Sequence, residues 1–230
     1  EKDMRQAFLA EDDFNRKVTS YFGVDVGLTE KEFYEINSRI EKMILNASTV
    51  VLAGSVPDEL SAELMRRILD LAHKHDKFTI LDTYGTHLLS CLKKAPGAIH
   101  NNIEELSSSL GRTFENENDI KEFLKELYSM GIKLCFLTDG ARPSYSSQFG
   151  FMYKSITPEI EAVDSTGSGD SFTAGVIYAL EKSFVFEDLL KFASAAGAAN
   201  SLNTTAGKAD MQTIEELMPK VKVIPLGKKL

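Results

Sequence analysis

The sequence predicts an α/β protein built on a mostly parallel sheet. Amphipathic segments with apolar residues three and four apart alternate with short, continuous apolar runs. Those runs lack the polar alternation of a half-exposed strand, so they suit strands covered by helices on both faces. A glycine-rich turn, residues 164–170, then joins a β-like stretch to a helical one, completing the same alternation.

Each element has its own local reason. Residues 1–21 predict a strand pair, with Ala7-Phe8-Leu9 and residues 17–21 flanking the polar stretch 11–15. Thr29 and Glu32 form a capping box, and Phe33, Ile36, Ile40 and Ile44 fall on one face of the helix it opens. Thr49-Val50-Val51-Leu52-Ala53 predicts a buried strand. Leu64, Ile68 and Leu71 mark a helix closed by His73, Lys74 and His75, cations that suit a helix C-terminus better than they suit a metal. A strand at 78–81, a short helix at 88–93 and a brief strand at 98–100 follow. Helices at 104–110 and 120–130, a strand at 133–138 and a β-like stretch reaching 163 come next. The tail predicts helices at 171–182, 186–203 and 213–221.

Composition narrows the function. The 230 residues are 43% hydrophobic, enough for one domain with a sizeable core. Thirty-four acids against 26 bases give a net charge of −8, which argues against a nucleic-acid protein. An anionic ligand would therefore need locally positive surroundings. No run of eighteen apolar residues and no charged-then-apolar leader occurs, so neither a membrane span nor export is expected. Cys91 and Cys135 match no metal or redox spacing, and the expected setting is reducing and cytoplasmic.

The chemistry concentrates in Asp164-Ser165-Thr166-Gly167-Ser168-Gly169-Asp170-Ser171-Phe172, running into Thr173-Ala174-Gly175. Alternate glycines let the backbone turn with its amides free, and the following helix places those amides at a positive helix end. Asp170 in the first turn is placed to accept a proton from a substrate hydroxyl. The segment is neither a Walker A loop nor a dinucleotide fingerprint, lacking the Gly-Lys-Ser/Thr of one and the third glycine of the other. A plain turn with Asp170 as its N-cap is the alternative.

The full string resembles the C-terminal signature of the phosphofructokinase-B carbohydrate kinases, closest to 6-phosphofructokinase, 1-phosphofructokinase and tagatose-6-phosphate kinase. That resemblance implies a ribokinase-like three-layer α/β/α fold, with Asp170 as catalytic base and Gly167, Ser168 and Gly169 as the anion hole. Leu52-Ala53-Gly54-Ser55-Val56-Pro57 resembles the family's Ser-Gly-Ser-Leu-Pro loop, making Ser55 a sugar contact. Leu81-Asp82-Thr83-Tyr84-Gly85 resembles its Asp-Thr-Ser-Gly stretch. Asn102-Ile103-Glu104-Glu105 resembles the Asn-x-x-Glu motif that organises Mg²⁺ and nucleotide phosphates. The preceding family Lys-Pro is here His100-Asn101, so one phosphate-facing cation is lost.

Thr138 and Gly140 resemble the nucleotide loop, although Ala141-Arg142-Pro143 departs from its second glycine. The small-residue helix ending in Asn200 resembles the one beside the adenine pocket. Arg5 resembles the arginine that grips a sugar phosphate with paired hydrogen bonds. Asp164 is implied near a monovalent cation, K⁺ in relatives.

Nothing before Arg5 matches the family's opening strands, its Gly-Gly-x-x-x-Asn sugar motif or much of its lid, so the chain is expected to be N-terminally incomplete. Residues 1–25 would be a remnant of the lid, and 26–230 the nucleotide-binding core of one kinase domain. The resemblance implies ATP-dependent phosphorylation of fructose-6-phosphate, fructose-1-phosphate or tagatose-6-phosphate, with Mg²⁺ as cofactor and a homodimer open. Kinases of unphosphorylated sugars or nucleosides, and a sugar-phosphate-sensing pseudokinase, are the alternatives.

Overall fold

The computed structural model describes residues 5–12 and 17–228. The predicted strand pair is present as β1 (Ala7–Asp12) and β2 (Lys17–Phe22), antiparallel from Ala7↔Phe22 to Asp12↔Lys17. Residues 1–4 and 13–16, the latter including the end of the predicted polar stretch 11–15, lie outside the described residues.

The main body follows the predicted alternation: α1 (Glu30–Leu45), β3 (Thr49–Ala53), α2 (Glu59–Lys74), β4 (Phe78–Asp82), α3 (Leu88–Leu92), β5 (Ala98–Asn102), α4 (Ile103–Leu110), α5 (Glu117–Ser129) and β6 (Leu134–Asp139). The capping box forms as read, with Glu32 N donating to Thr29 Oγ1 and Thr29 N to Glu32 Oε2. At the far end of α2, Lys74 and His75 both reach Glu41 of α1, at 2.8 and 2.9 Å.

Then come β7 (Arg142–Gln148), β8 (Phe151–Ile156), α6 (Ser168–Glu181), α7 (Phe186–Ser201), α8 (Met211–Leu217) and β9 (Lys222–Lys228). The sheet order is β3-β4-β5-β6-β7-β8-β9. Its first three pairings are parallel and its last three antiparallel, so five of the seven strands run the same way. Helical crossovers permit the parallel half. The tight turns at Gly140 and at Phe149-Gly150 force the β6–β7 and β7–β8 pairings to be antiparallel, because so short a connection cannot return a chain to the same end, whereas β9 reaches β8 only after α6 to α8.

Three expectations need correction. The tail does not end in a helix at 221: β9 follows, pairing with β8 at the sheet edge. Pro225 hid it, since proline marks a strand as unlikely except at an edge. The β-like stretch does not reach 163 but stops at Ile156. The helix expected from 171 begins at Ser168, because the glycine turn supplies its first turn.

Strand side chains alternate between two cores. Leu81 and Leu137 join Leu69, Leu106, Leu124 and Leu127 on the α2–α5 face. Ile80 and Phe136 join Phe172, Val176, Leu190 and Ala193 on the α6–α8 face. The three-layer arrangement follows directly from that alternation. Among the described residues no helix is long and apolar enough to cross a membrane.

Two features predict measurable stability changes. A Cβ on Gly175 would lie 2.9 Å from the Ala193 Cα, a backbone atom that cannot swing aside. Gly175→Val should therefore cost roughly 1–3 kcal/mol in denaturant unfolding through overpacking of α6 on α7. Separately, Glu117 pairs closely with Lys121, accepts from Lys154 at 2.9 Å and from the Tyr145 hydroxyl at 3.1 Å. These donors hold its carboxyl down from 4.5 to about 2. A depressed carboxyl contributes stability above its unfolded value that fades as pH falls towards its folded one. Unfolding curves of wild type and Glu117→Gln should thus differ above about pH 4.5 and converge towards pH 2.

Candidate active site

The carboxyl ends of β3 to β6 and the start of α6 open into one cleft of about 770 Å³. This is where ligands bind on open parallel sheets. Its floor is the glycine turn. Gly167 caps α6 with φ +81, a left-handed conformation that glycine adopts without strain. A Cβ there would also come within 2.6 Å of Gly207 N, so two constraints require glycine at one position. Ser168 follows as the first helical residue, and Gly169 and Asp170 complete the turn. The early amides of α6 have no partner within the helix, and Asp170 stands exposed beside them at the cleft. Asp170 is therefore not the N-cap of a plain turn.

Asn200 and Asp164 act behind this floor. Asn200 is fully buried, and its Nδ2 donates to Thr166 O at 2.8 Å and to Ser168 Oγ at 3.1 Å. Ser201 Oγ meets Ser168 Oγ at 2.8 Å. Asp164 Oδ1 accepts from the Thr166 amide and hydroxyl at 2.9 and 2.8 Å. Both predicted residues brace the glycine turn, while neither lines the cleft.

Asn102, Glu105, Thr138 and Gly140 line the cleft together. Asn102 caps α4, accepting from Glu104 N at 2.8 Å. Glu105 is pushed above the ordinary carboxyl range, first by loss of hydration and then by the charge of Asp82 and, more weakly, Asp170; His100 and the Asn102 amide oppose the shift. No three His, Cys, Asp or Glu side chains among the described residues converge on a metal position. The oxygen set around Glu105 nevertheless fits Mg²⁺, which keeps several waters and shares phosphate oxygens rather than requiring an all-protein cage.

Two predicted contacts lie off the cleft wall. Ser55 is exposed beside it, and the neighbouring Gly54 is the lining residue. Arg5 belongs to the β1–β2 unit, paired with Asp25 at 2.7 Å and set over the Phe22 ring at 4.6 Å.

The sequence reading missed part of the wall. Asp82 closes β4 and accepts from Thr173 Oγ1 at 2.6 Å. His100, only 3% exposed, has Nδ1 3.1 Å from Asp82 Oδ2, close but poorly aligned for a hydrogen bond. Its Nε2 meets Thr138 Oγ1 at 3.0 Å, and its ring stacks on Phe172 with centroids 4.9 Å apart. In the sequence His100 is only a lost lysine; in the fold it ties β4, β6 and α6 together. A polar residue closing an apolar run, as Asp82 does, was the available signal. Asp82, Glu105, Glu159 and Asp170 line the cleft, whereas among the described residues Arg142 is its sole Lys or Arg and pairs with Asp139 at 2.7 Å.

Comparison with known proteins bears on the family and the fold. The model of the pfkB family carbohydrate kinases matches residues 7–214. A tagatose-6-phosphate kinase of Staphylococcus epidermidis is 32% identical over 200 residues, 84% of this chain and 64% of that protein. A 1-phosphofructokinase of Borreliella burgdorferi is 27% identical over 197 residues, 85% of this chain and 63% of that one. The chain thus spans a little under two thirds of the length of these curated relatives. Among solved structures, a possible 1-phosphofructokinase of Thermotoga maritima superposes with a TM-score of 0.88 at 16% identity, covering 98% of this chain and 72% of its own. Escherichia coli phosphofructokinase-2, in a complex with potassium, superposes with a TM-score of 0.82 at 20% identity, covering 94% of this chain and 70% of its own. A ribokinase-like core, a glycine turn opening a helix beside Asp170, and a family match over most of its length identify this chain as a member of the pfkB family of carbohydrate kinases.

Proposed function

We propose that the protein transfers the terminal phosphoryl group of ATP to a hydroxyl of a phosphorylated ketohexose, with Asp170 as the base. The observation that carries this reading is the placement of Asp170 beside the free amides of α6, in a cleft shared with Glu105 and Thr138. The acceptor hydroxyl loses its proton to Asp170 as its oxygen bonds to phosphorus and the bond to the ADP oxygen breaks. The amides of Gly167 and Gly169 hold the phosphoryl oxygens, while the Ser168 amide is already bonded to Ser165 O at 3.1 Å; electrostatic complementarity of this kind is a large part of catalysis. Mg²⁺, held through Glu105 and Asn102 with water or phosphate oxygens between, would supply charge neutralisation in a cleft otherwise dominated by carboxylates. A monovalent cation beside the glycine turn belongs to the proposal too. Asp164 Oδ1 is taken by Thr166, so such an ion would rest on the other carboxylate oxygen and loop carbonyls.

The relatives' names support a sugar phosphate as acceptor, with tagatose-6-phosphate, fructose-1-phosphate and fructose-6-phosphate as the candidates. Arg5 would grip its phosphate only on leaving Asp25. The β1–β2 unit, within the proposed lid segment 1–25, exposes Phe8, Tyr21 and Phe22, which supports a homodimer through that unit. A cytoplasmic location fits the two free, buried cysteines. A sensing pseudokinase is the second reading, favoured by the cleft's acidic wall and the single, already paired Arg142.

ADP release from Mg-ATP against a panel of sugars and sugar phosphates decides between them. Turnover of one ketohexose phosphate is expected, with Asp170→Asn lowering kcat by about 10²–10⁴ while thermal unfolding is unchanged. Binding of a sugar phosphate without ADP release would establish the sensor instead. The raised Glu105 carboxyl adds a pH signature, because cation binding needs it ionised. The KM for Mg-ATP should rise on the acid side at a pH above the ordinary glutamate value of 4.5. Glu105→Gln should raise that KM and flatten its acid limb.

A further inference from the structure

The loop after β4 is clamped on both sides of a residue that is itself unpartnered. Thr83 is 1% exposed; its hydroxyl donates to Gly54 O at 2.5 Å and lies 2.9 Å from His87 Nε2. With that hydroxyl proton committed to Gly54, His87 must be the donor to Thr83 Oγ1. Burial and Arg66 both hold His87 below its usual range, consistent with a neutral ring carrying its proton on Nε2. The Thr83 carbonyl accepts from Asn101 Nδ2 at 2.7 Å. Beyond the loop's tip, Gly85 N donates to Ser109 Oγ at 2.7 Å, and Gly85 adopts φ +108. Between these anchors Tyr84 lines the cleft, 40% exposed, with no hydrogen-bond, ion or ring partner for its side chain among the described residues.

Two departures from the family pattern meet here. Tyr84 stands where the Asp-Thr-Ser-Gly stretch has serine, and Asn101 where Lys-Pro-Asn has proline. A proline has no side-chain amide, so the bond that fixes the Thr83 carbonyl depends on the second departure. Asn101 is 1% exposed and its Oδ1 has no partner, so its buried amide is retained at a cost, with the bond to Thr83 as its evident return. Rigid backbone on either side of an idle aromatic is how a binding residue is preorganised.

The fold also says which ligand Tyr84 faces. β3 and β4 lie at one end of the sheet, and α7 packs over β8 and β9 at the other. Ser194, Gly197, Ala198 and Ser201 of α7 form the wall proposed for the nucleotide; Gly54 and Tyr84 form the opposite one. Resting on the kinase reading above, we propose that Tyr84 is the acceptor-specificity residue of this protein. Its ring packs on the C–H face of the sugar phosphate, and its phenol bonds a sugar hydroxyl.

This sequence has no tryptophan, so Tyr84→Trp installs a reporter that needs no turnover. Read against the parent protein, its emission should change on adding fructose-6-phosphate, fructose-1-phosphate or tagatose-6-phosphate, and hold steady with Mg-ATP alone. Tyr84→Ser should raise the KM for the accepted sugar phosphate about tenfold and leave that for Mg-ATP within about twofold. Tyr84→Phe, which keeps the ring, should show a smaller rise. Matched thermal unfolding of all three confirms intact folds. Emission that answers Mg-ATP alone, or a KM for sugar phosphate unmoved in Tyr84→Ser while the parent turns over, overturns the assignment. A parent that neither binds nor phosphorylates any of the three sugar phosphates overturns the kinase reading beneath it.

Discussion

The site depends on how closely α6 can approach α7. The start of α6 must face the cleft while one side of the helix, through Phe172, Gly175, Val176 and Ala179, is buried. Gly175 lets the helices meet at Ala193, and Gly167 turns the chain at the head of α6 where any side chain would meet Gly207. Asn200, Ser201 and Ser168 then lock the turn from behind with hydrogen bonds no longer than 3.1 Å. A buried polar brace of this kind stabilises only when its donors are used, and here each bond lands on the turn that must not move. The small residues of α7 have two neighbours at once: the stripe that lets the helices touch also forms one wall of the cleft.

The cleft's electrostatics follow from the same arrangement. A chain of net charge −8 has gathered carboxylates where anionic ligands would sit. Among the described residues, backbone amides are the main remaining source of positive potential, since Arg142 is already paired. His100 takes the place of a lysine in the family pattern without replacing its charge at the phosphates. It is sealed between Asp82, Thr138 and Phe172 and works as a strut across three elements. The raised Glu105 carboxyl records first its burial and then the like charge of Asp82 and Asp170.

Much of the fold was legible because its local signals agree. Capping at Thr29, apolar faces at helical spacing and unbroken apolar strands all report residues close in sequence. β9 was not legible, because Pro225 argues against a strand until the chain is seen to lie at an edge, where a missing amide costs little. Nor was the antiparallel half of the sheet, which rests on two short turns and on the return of the chain after α8 rather than on strand composition. Asn200 and Asp164 were recognisable as important residues of the glycine-turn region. That they brace the turn rather than line the cleft depends on partners up to 34 positions away.

The sequence by itself determined the layer order, the glycine turn and its aspartate, because each is written in consecutive residues whose backbone preferences need no distant partner. Only the tertiary structure decided which residues share the cleft. Asp82 and Tyr84 at the end of β4, His100 of β5 and Ser194 of α7 lie far apart along the chain, and a side chain's neighbours across a sheet depend on strand order. It also decided that Gly54 rather than Ser55 lines the wall, and that Arg5 faces Asp25. Those choices rest on side-chain direction and on which charge lies nearest, and neither can be read from spacing along the chain.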